Sequence, residues 1–390
     1  LRAAGCRGPG AATTADRDRM SSGGGYKWCC HRPGHAGKAG RMAARRGVGI
    51  RDVAREAGVS VTTVSHILNR VPYARASDAT RERVRAVAAR LGYEPNRMAR
   101  SLRTQRSDMI GLLSEDIATT PHAGQIILGA QEAAREAGLT IVLVNTEQDP
   151  EAVDRDADVL LRQSVDGVLY ATMYHRVVRV PGVLSGIPTV LIDAQDAQSR
   201  APWTVPDEAS GARAAVEELI EHGHRRIGFL TNTDDVPATH GRLAGYRTGL
   251  EAAGLAVDDS LVVARPSETP GGYEAALELL SRDRTATALF CYNDRMAMGA
   301  YRAAAEMGLR IPDDLSIVGF DNQEIIAEGL FPALTTVALP HYDMGRWATQ
   351  QLIAILARDE EDGQMDGPDS AVLPCPLVRR SSVASPRARA

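Results

Sequence analysis

The sequence predicts an N-terminal all-α headpiece followed by a two-lobed α/β body of doubly wound parallel sheets. Three observations carry this. Short amphipathic helical periodicities, separated by glycine and serine, occupy Ile50–Leu91. From Ser107 onward, apolar strand-like runs alternate with helical stretches, the pattern of parallel sheets covered on both faces. The body, from Ser107 to about Ser382, exceeds one sheet's usual core and so divides into two lobes.

In the head, Ile50, Val53, Ala54 and Ala57 recur at helical spacing and give one buried face. Gly58 comes next, where a helix end needs a residue that tolerates positive φ. Ser60 stands at an N-cap position before a second periodicity, Val61, Val64, Ile67 and Leu68. The other side of that helix carries Thr62, Thr63, Ser65, His66 and Asn69, short hydrogen-bonding groups of the kind a recognition helix shows to a major groove. A third helix is read over Thr80–Leu91, with Val84, Val87, Ala88 and Leu91 on one side. Pro95 then stops the chain, Asn96 can cap a further helical turn, and Arg97–Leu102 is too short to stay helical alone.

Charge divides the chain at the same place. Residues 1–106 hold 22 Lys and Arg against 7 Asp and Glu, and the remainder holds 23 against 42. A cationic head attracts phosphate backbone, and an acidic body is held off it.

The segments DVAREAGVSVTTVSHILN (Asp52–Asn69) and GYEPNRMARSL (Gly92–Leu102), at nearly the family's separation, resemble the DNA-binding head of the LacI/GalR repressor family. The loop Arg70–Ala79 is somewhat longer than in the shortest members. The resemblance implies a sequence-specific DNA-binding regulator in which Val61, Thr62 and His66 meet base edges and Ser60, Thr63, Ser65 and Asn69 meet phosphates. It also implies a hinge at Asn96, Arg97, Ala99 and Leu102 that folds in the minor groove, with Leu102 wedged between base pairs. His66 departs from the arginine most members carry; a neutral imidazole offers one donor and one acceptor where arginine offers a bidentate pair.

In the body, strands are read at Met109–Leu113, Ile141–Asn145, Val168–Tyr170, Thr189–Asp193, Ile227–Leu230, Ala288–Tyr292, Ser316–Phe320 and Thr335–Ala338. Helices between them include Ala123–Ala137, Ala209–His222, Arg242–Ala253 and Arg295–Met307. This order resembles the type I periplasmic-binding-protein fold that the family uses for sensing, with its ligand in the cleft between lobes. Lobe 1 is read as 107–206 with 313–340, and lobe 2 as 207–312 with 341–382. The other boundaries are a disordered extension over 1–45, the head over 46–94, the hinge over 95–106 and a tail over 383–390.

Four charged residues stand at strand-to-helix turns: Asp193, Arg242, Asp294 and Asp321. A carboxylate there can accept two sugar hydroxyls, and arginine can donate to two oxygens. The resemblance places effector contacts at Arg242 and Asp294, and often at Asp193; for Asp193 and Asp321 helix N-capping is the competing role. The first strand-to-helix loop holds Ile117, Thr119, Thr120 and His122 where sugar-sensing members carry an aromatic ring, which leaves Trp203 or Tyr174 for stacking.

Residues 1–45 are rich in Gly, Ala and Arg and contain no apolar run fit for a signal peptide. Cys29, Cys30, His31 and His35 match no tetrahedral metal spacing, and a start at Met42 is an open alternative. His222 and His224 lead from a helix into a strand and are read as structural rather than as metal ligands. Cys291 and Cys375 suggest no disulfide framework, so a reducing cytoplasm is the default. There is no GxSxG, no phosphate-cradling glycine loop and no HExxH, so no catalytic residue, metal or cofactor is assigned. The segment Leu377–Ser382 resembles the family's last strand, and no leucine heptads come after it, which predicts a dimer reading a pseudo-palindromic operator, with no membrane partner. The leading function is a repressor released by a small sugar. The alternatives are a regulator with a purine or nucleoside corepressor, an enzyme with an appended head, and a ligand-free nucleoid-type DNA binder.

Overall fold

The computed structural model describes residues 48–69, 76–93, 106–120, 123–147, 149–198, 201–358 and 370–387. The hinge positions Asn96, Arg97, Ala99 and Leu102, the Cys29–His35 cluster, His122 and most of the loop from Arg70 lie outside the described residues. The chain forms two units, one ending at Glu94 and one beginning at Pro95.

The head is three helices, α1 (Ile50–Ala57), α2 (Val61–Leu68) and α3 (Asp78–Leu91). Gly58 takes φ 65°, which lets the Val59 amide close back onto the Ala54 carbonyl and turns the chain into α2. Ser60 Oγ accepts from the Thr63 amide at 3.0 Å and starts α2. Val53, Ala54, Ala57, Val64, Ile67, Val84, Val87 and Ala88 form one small core. The third helix begins at Asp78, two residues before the expected Thr80, because Ser77 rather than a later residue caps it. Arg83 Nε donates to the Ala57 carbonyl at 3.1 Å and ties α3 to the end of α1.

The body contains two six-stranded sheets. The first is ordered β11-β5-β4-β3-β1-β2 and is parallel throughout: β1 (Met109–Glu115), β2 (Thr140–Thr146), β3 (Gly167–Val178), β4 (Thr189–Asp196), β5 (Trp203–Pro206) and β11 (Ala371–Leu373). The second is ordered β12-β10-β9-β8-β6-β7: β6 (Ile227–Asn232), β7 (Val262–Arg265), β8 (Ala288–Cys291), β9 (Ser316–Asp321), β10 (Thr335–Ala338) and β12 (Leu377–Val378). Only β12 runs antiparallel to its neighbour, β10. The eight strands read from the sequence are all present, several of them longer; β5, β7 and β11 are short strands that the apolar pattern does not mark.

The helices cover the faces of these sheets and show which lobe each segment serves. Helices α4 (Gly124–Glu136), α5 (Pro150–Arg162) and α11 (His341–Arg358) pack on the first sheet, and α6 (Glu208–Glu221), α7 (Pro237–Ala252), α8 (Thr269–Arg282) and α9 (Asp294–Glu306) pack on the second. A short α10 (Glu324–Ala327) comes after β9.

This corrects the expected lobe boundaries. Residues 313–340 belong to lobe 2, because β9 pairs with β8 (Ala288 opposite Ser316) and β10 pairs with β9. The helix α11, expected in lobe 2, covers lobe 1: Leu352 packs over Gly167, and the backbones of α4 and α11 touch at Gly129 and Gly345. A Cβ at Gly129 would lie 2.0 Å from the Tyr342 carbonyl oxygen, so only glycine permits this approach. The expected tail is also part of lobe 2 through Ala384, whose amide donates to Ser316 Oγ at 3.1 Å. The chain therefore passes between lobes three times, around Pro206, Pro340 and Pro374.

Candidate functional site

On α2, Val64 and Ile67 are buried in the head while Ser60, Val61 and Thr62 are exposed. Thr63, Ser65, His66 and Asn69 are half-buried. Some of this polar set is spent internally: the Ser60 and Thr63 hydroxyls share a hydrogen bond at 2.9 Å, and Asn69 Nδ2 donates to the Ser65 carbonyl at 2.7 Å. Val61 and Thr62 open the helix, and His66 lies one turn beyond Thr62 on the same side. The arrangement offers a methyl, a hydroxyl and an imidazole in a row on a rigid helix.

In the body, the four residues singled out from the sequence separate. Arg242, Asp193 and Asp321 come together between the lobes, with Asp193 from β4 of lobe 1 and the other two from lobe 2. Arg242 sits inside α7, which begins at Pro237, five residues before the helix read from the sequence. Its guanidinium is 4% exposed. Nε donates to Glu208 Oε2 at 2.7 Å, Nη2 to Glu208 Oε1 at 3.4 Å and Nη1 to the Tyr292 carbonyl at 2.5 Å. Asp321 Oδ1 lies 3.3 Å from Nη1. The rings of Phe320 and Tyr292 stack against the guanidinium, with centroids 3.9 and 4.4 Å away.

Backbone conformation aims the two aspartates. Asp193 has φ 58° and Asp321 φ 99°, left-handed values that break the strand alternation within β4, where its pairing with β3 shifts register, and at the end of β9. Aspartate is one of the few side chains that tolerate this. Asp193 Oδ1 is buried without a hydrogen-bond partner. Burial first, and then the charge of Glu208, raise the Asp193 carboxyl well above the carboxylate range, against the pull of Arg242. Burial likewise raises Glu208. For Arg242 burial opposes the charge, but Glu208, Tyr292 and Asp321 outweigh it and hold the guanidinium above its usual value.

Asp294 does not join this group. It is the first residue of α9, fully buried, and its oxygens accept from the Thr336 hydroxyl and the Gln323 amide, both at 2.6 Å. All of these partners are in lobe 2, so Asp294 braces β9 and β10, and Gln323 connects it to the group, since Gln323 Nε2 donates to Asp321 Oδ2 at 3.0 Å. Burial, then the nearby Asp321 charge, push its carboxyl up to about 8.

Several residues at the cleft are not among the sequence candidates. Glu208 opens α6 directly after its cap Asp207, at the kind of strand-to-helix turn that marks Asp294, so the signal is present. His175 lies on β3, which runs to Val178 instead of ending near Tyr170; its ring lies beside the Gln195 side chain, and burial pushes the imidazole down to about 4. At the end of β6, Thr231 Oγ1 and Asn232 Oδ1 are also buried without partners. A cavity of about 700 Å³ lies beside the group, lined by Gln125, Tyr342 and Asp343 of lobe 1 and by Asp321, Gln323 and Ile325 of lobe 2.

Of the remaining sequence candidates, Tyr174 is tied to the Asp193 strand, since Thr172 Oγ1 donates to both its carbonyl and that of Asp193. Ile117 is buried in the lobe 1 core, and the Thr119 and Thr120 hydroxyls both donate to the Asp116 carbonyl. Trp203 begins β5 opposite Leu191 and packs on the lobe 1 core, at the far end of the strand from the cleft. Tyr174 lies under Arg176, 5.6 Å from its guanidinium. The ring of His224 bonds Thr287 Oγ1, Ser316 Oγ and the Ala384 carbonyl, each at 2.9 Å, and is a structural hub. Cys291 and Cys375 are free and buried.

Known proteins share both parts of this architecture. Residues 49–96 match the bacterial regulatory proteins of the lacI family, and residues 216–383 match the periplasmic binding protein-like domain. The transcriptional regulator DegA of Bacillus subtilis is 34% identical over 85% of this chain and 97% of its own. The chain belongs to the LacI family.

Another LacI-family relative, the ribose operon repressor of Escherichia coli, is 34% identical over 78% of this chain and 92% of its own. Two solved structures are similar: the transcriptional regulator CelR in complex with cellobiose (TM-score 0.62, 32% identity, 86% of this chain and 99% of that one) and the lac repressor dimer bound to operator and an anti-inducer (0.69, 28%, 87% and 100%). As a LacI-family member, this chain is a DNA-binding transcriptional repressor. The family consists of regulators rather than enzymes. Among the described residues, no helix is long and apolar enough to cross a membrane.

Proposed function

We propose that this repressor acts in the cytoplasm as a dimer on a pseudo-palindromic operator and is released by a small sugar-type effector bound between its lobes. The observation that carries the effector site is the group Asp193, Glu208, Arg242 and Asp321, which draws on both lobes beside a cavity of about 700 Å³. A ligand gripped by residues of both lobes favours one lobe arrangement over another by its differential affinity, which is the requirement for control at a distance. The relative solved with cellobiose supports the ligand class. In the head, Val61, Thr62 and His66 read bases, Ser60, Thr63, Ser65 and Asn69 meet phosphates, and the hinge from Asn96 to Leu102 enters the minor groove.

The test is a thermal-shift panel of sugars and nucleobases on the full chain, beside Arg242→Ala, with operator titration after it. A sugar that raises the melting point of the wild type alone and weakens operator binding supports this reading. A nucleobase that strengthens operator binding replaces the inducer with a corepressor. Loss of one base contact at Thr62 or His66 should cost about 1–3 kcal/mol and change the preferred base pair.

A further inference from the structure

The charge of the cleft restricts its ligand further than the word sugar does. Three acidic side chains, Asp193, Glu208 and Asp321, converge on a single guanidinium, Arg242, which Glu208 and Asp321 already occupy. Burial raises the first two above the carboxylate range while the cleft is empty, so a bound cation is what would ionise them. His175, close enough to feel the Arg242 charge, is held neutral by burial and brings no charge of its own.

The adjoining cavity has the same sign. Among the described residues, Asp321, Glu324 and Asp343 line it together with His341, and no arginine or lysine does. Arg380, which approaches its edge, is spent on Asn322 Oδ1, the Leu334 carbonyl and Glu328. No lysine occurs anywhere after Lys38, so no mobile ammonium can reach in from the body.

The unpartnered atoms point the same way independently. Asp193 is 1% exposed, yet its Oδ1 has no donor, and Asn232 Oδ1 at the end of β6 has none either. Buried acceptors of this kind are costly until a donor arrives. The neutral ring of His175 and the Thr231 hydroxyl can donate to a ligand, and Asp321 Oδ2 already accepts from Gln323 Nε2. Apart from Arg242, however, no described residue brings positive charge to Asp193; an alkylammonium supplies a donor and a charge together.

We propose that the effector is an aminated polyol, such as an amino sugar, whose ammonium group is taken by Asp193 and Asp321, and that phosphorylated or carboxylated sugars are excluded. This rests on the cleft being the effector site.

The test is binding to the full chain, by thermal shift and calorimetry, of ligands matched in shape and differing in charge. The probes are glucose, galactose and mannose, their 2-amino derivatives and their 6-phosphates. A pair independent of sugar frame is added: tris(hydroxymethyl)aminomethane and pentaerythritol, which differ by an ammonium in place of a hydroxymethyl. The amine of at least one set should bind about tenfold or more tighter than its neutral partner, the phosphate should not bind, and Asp193→Asn should remove the preference. Asn tolerates the left-handed φ at 193, and Asp321→Asn serves as the second variant should the first fail to fold. A neutral sugar binding as well as its amine, or any phosphate binding, overturns the charge assignment and leaves the cleft as effector site. If no class binds while operator binding is intact, the cleft reading fails and this assignment with it.

Discussion

Glu208 and Arg242 meet as a buried two-pronged ion pair, Nε to Oε2 at 2.7 Å and Nη2 to Oε1 at 3.4 Å, joining the first turn of α6 to α7. Both side chains are about 5% exposed. Removing one partner leaves the other buried with its charge less compensated, and that cost exceeds the value of the pair itself.

Glu208→Ala should therefore lower the stability of the body by about 3 kcal/mol. Glu208→Gln, which keeps one acceptor, should lose less. Urea denaturation monitored by circular dichroism measures both; equal, negligible losses would show that Arg242 finds other partners.

Asp294→Ala should destabilise lobe 2 by about 2–3 kcal/mol, since it leaves the Thr336 hydroxyl and the Gln323 amide buried without an acceptor. Operator binding of the protein that remains folded should be intact. Normal stability with a lost ligand response would instead make Asp294 a contact residue.

The same residue gives the body a pH dependence of definite sign. Its carboxyl, pushed up to about 8, is protonated in the fold at a pH where the unfolded chain is ionised. Its contribution is thus complete below the ordinary carboxylate range and is lost as pH rises through about 8. His175 and His224, both pushed down to about 4, act oppositely: their contribution is present above the ordinary imidazole value and is lost as pH falls toward 4. Above the imidazole range the carboxyl dominates, so urea midpoints should fall from about pH 7 to about pH 8 and level off beyond it, less steeply in Asp294→Asn. A flat profile in the wild type would contradict the assignment.

Gly129→Ala should be among the most damaging single-methyl additions. Its Cβ would meet backbone rather than a movable side chain, 2.0 Å from the Tyr342 oxygen, so α4 and α11 must separate. A loss of about 1–3 kcal/mol is expected in thermal or urea melts. Gly124→Ala, with nothing within 4 Å, is the control and should change little.

Ser60→Ala removes the oxygen that holds the Thr63 amide and should cost the head about 1 kcal/mol. Hydrogen exchange at Thr63 and its neighbours should rise, with the body unaffected.

Most of the architecture was legible because it depends on local pattern. Gly58 and Ser60 announce the turn and the start of α2, and each long β-strand core is a continuous apolar run. Lobe membership was not legible, because it depends on partners distant in the chain: nothing local in Ser316–Asp321 says that it pairs with β8, or in His341–Arg358 that it lies on α4. The cleft was half legible. Asp193, Arg242 and Asp321 could be read from position, while His175 was hidden because the polar end of β3 does not look like a strand. Asp294 could be read as a charged residue after a strand, but its bonds to Thr336 and Gln323 could not, because those partners are distant in the chain.

The three passages between lobes have a consequence for how the protein is made. Lobe 1 receives its covering helix α11 and its edge strand β11 only after every strand of lobe 2 except β12 has left the ribosome. Neither half can be completed while the other is still missing, and a chain cut short after Ala338 yields two unfinished pieces rather than one good one. A messenger truncated there thus leaves the head, with a core of its own, joined to a body in which neither lobe has its last elements.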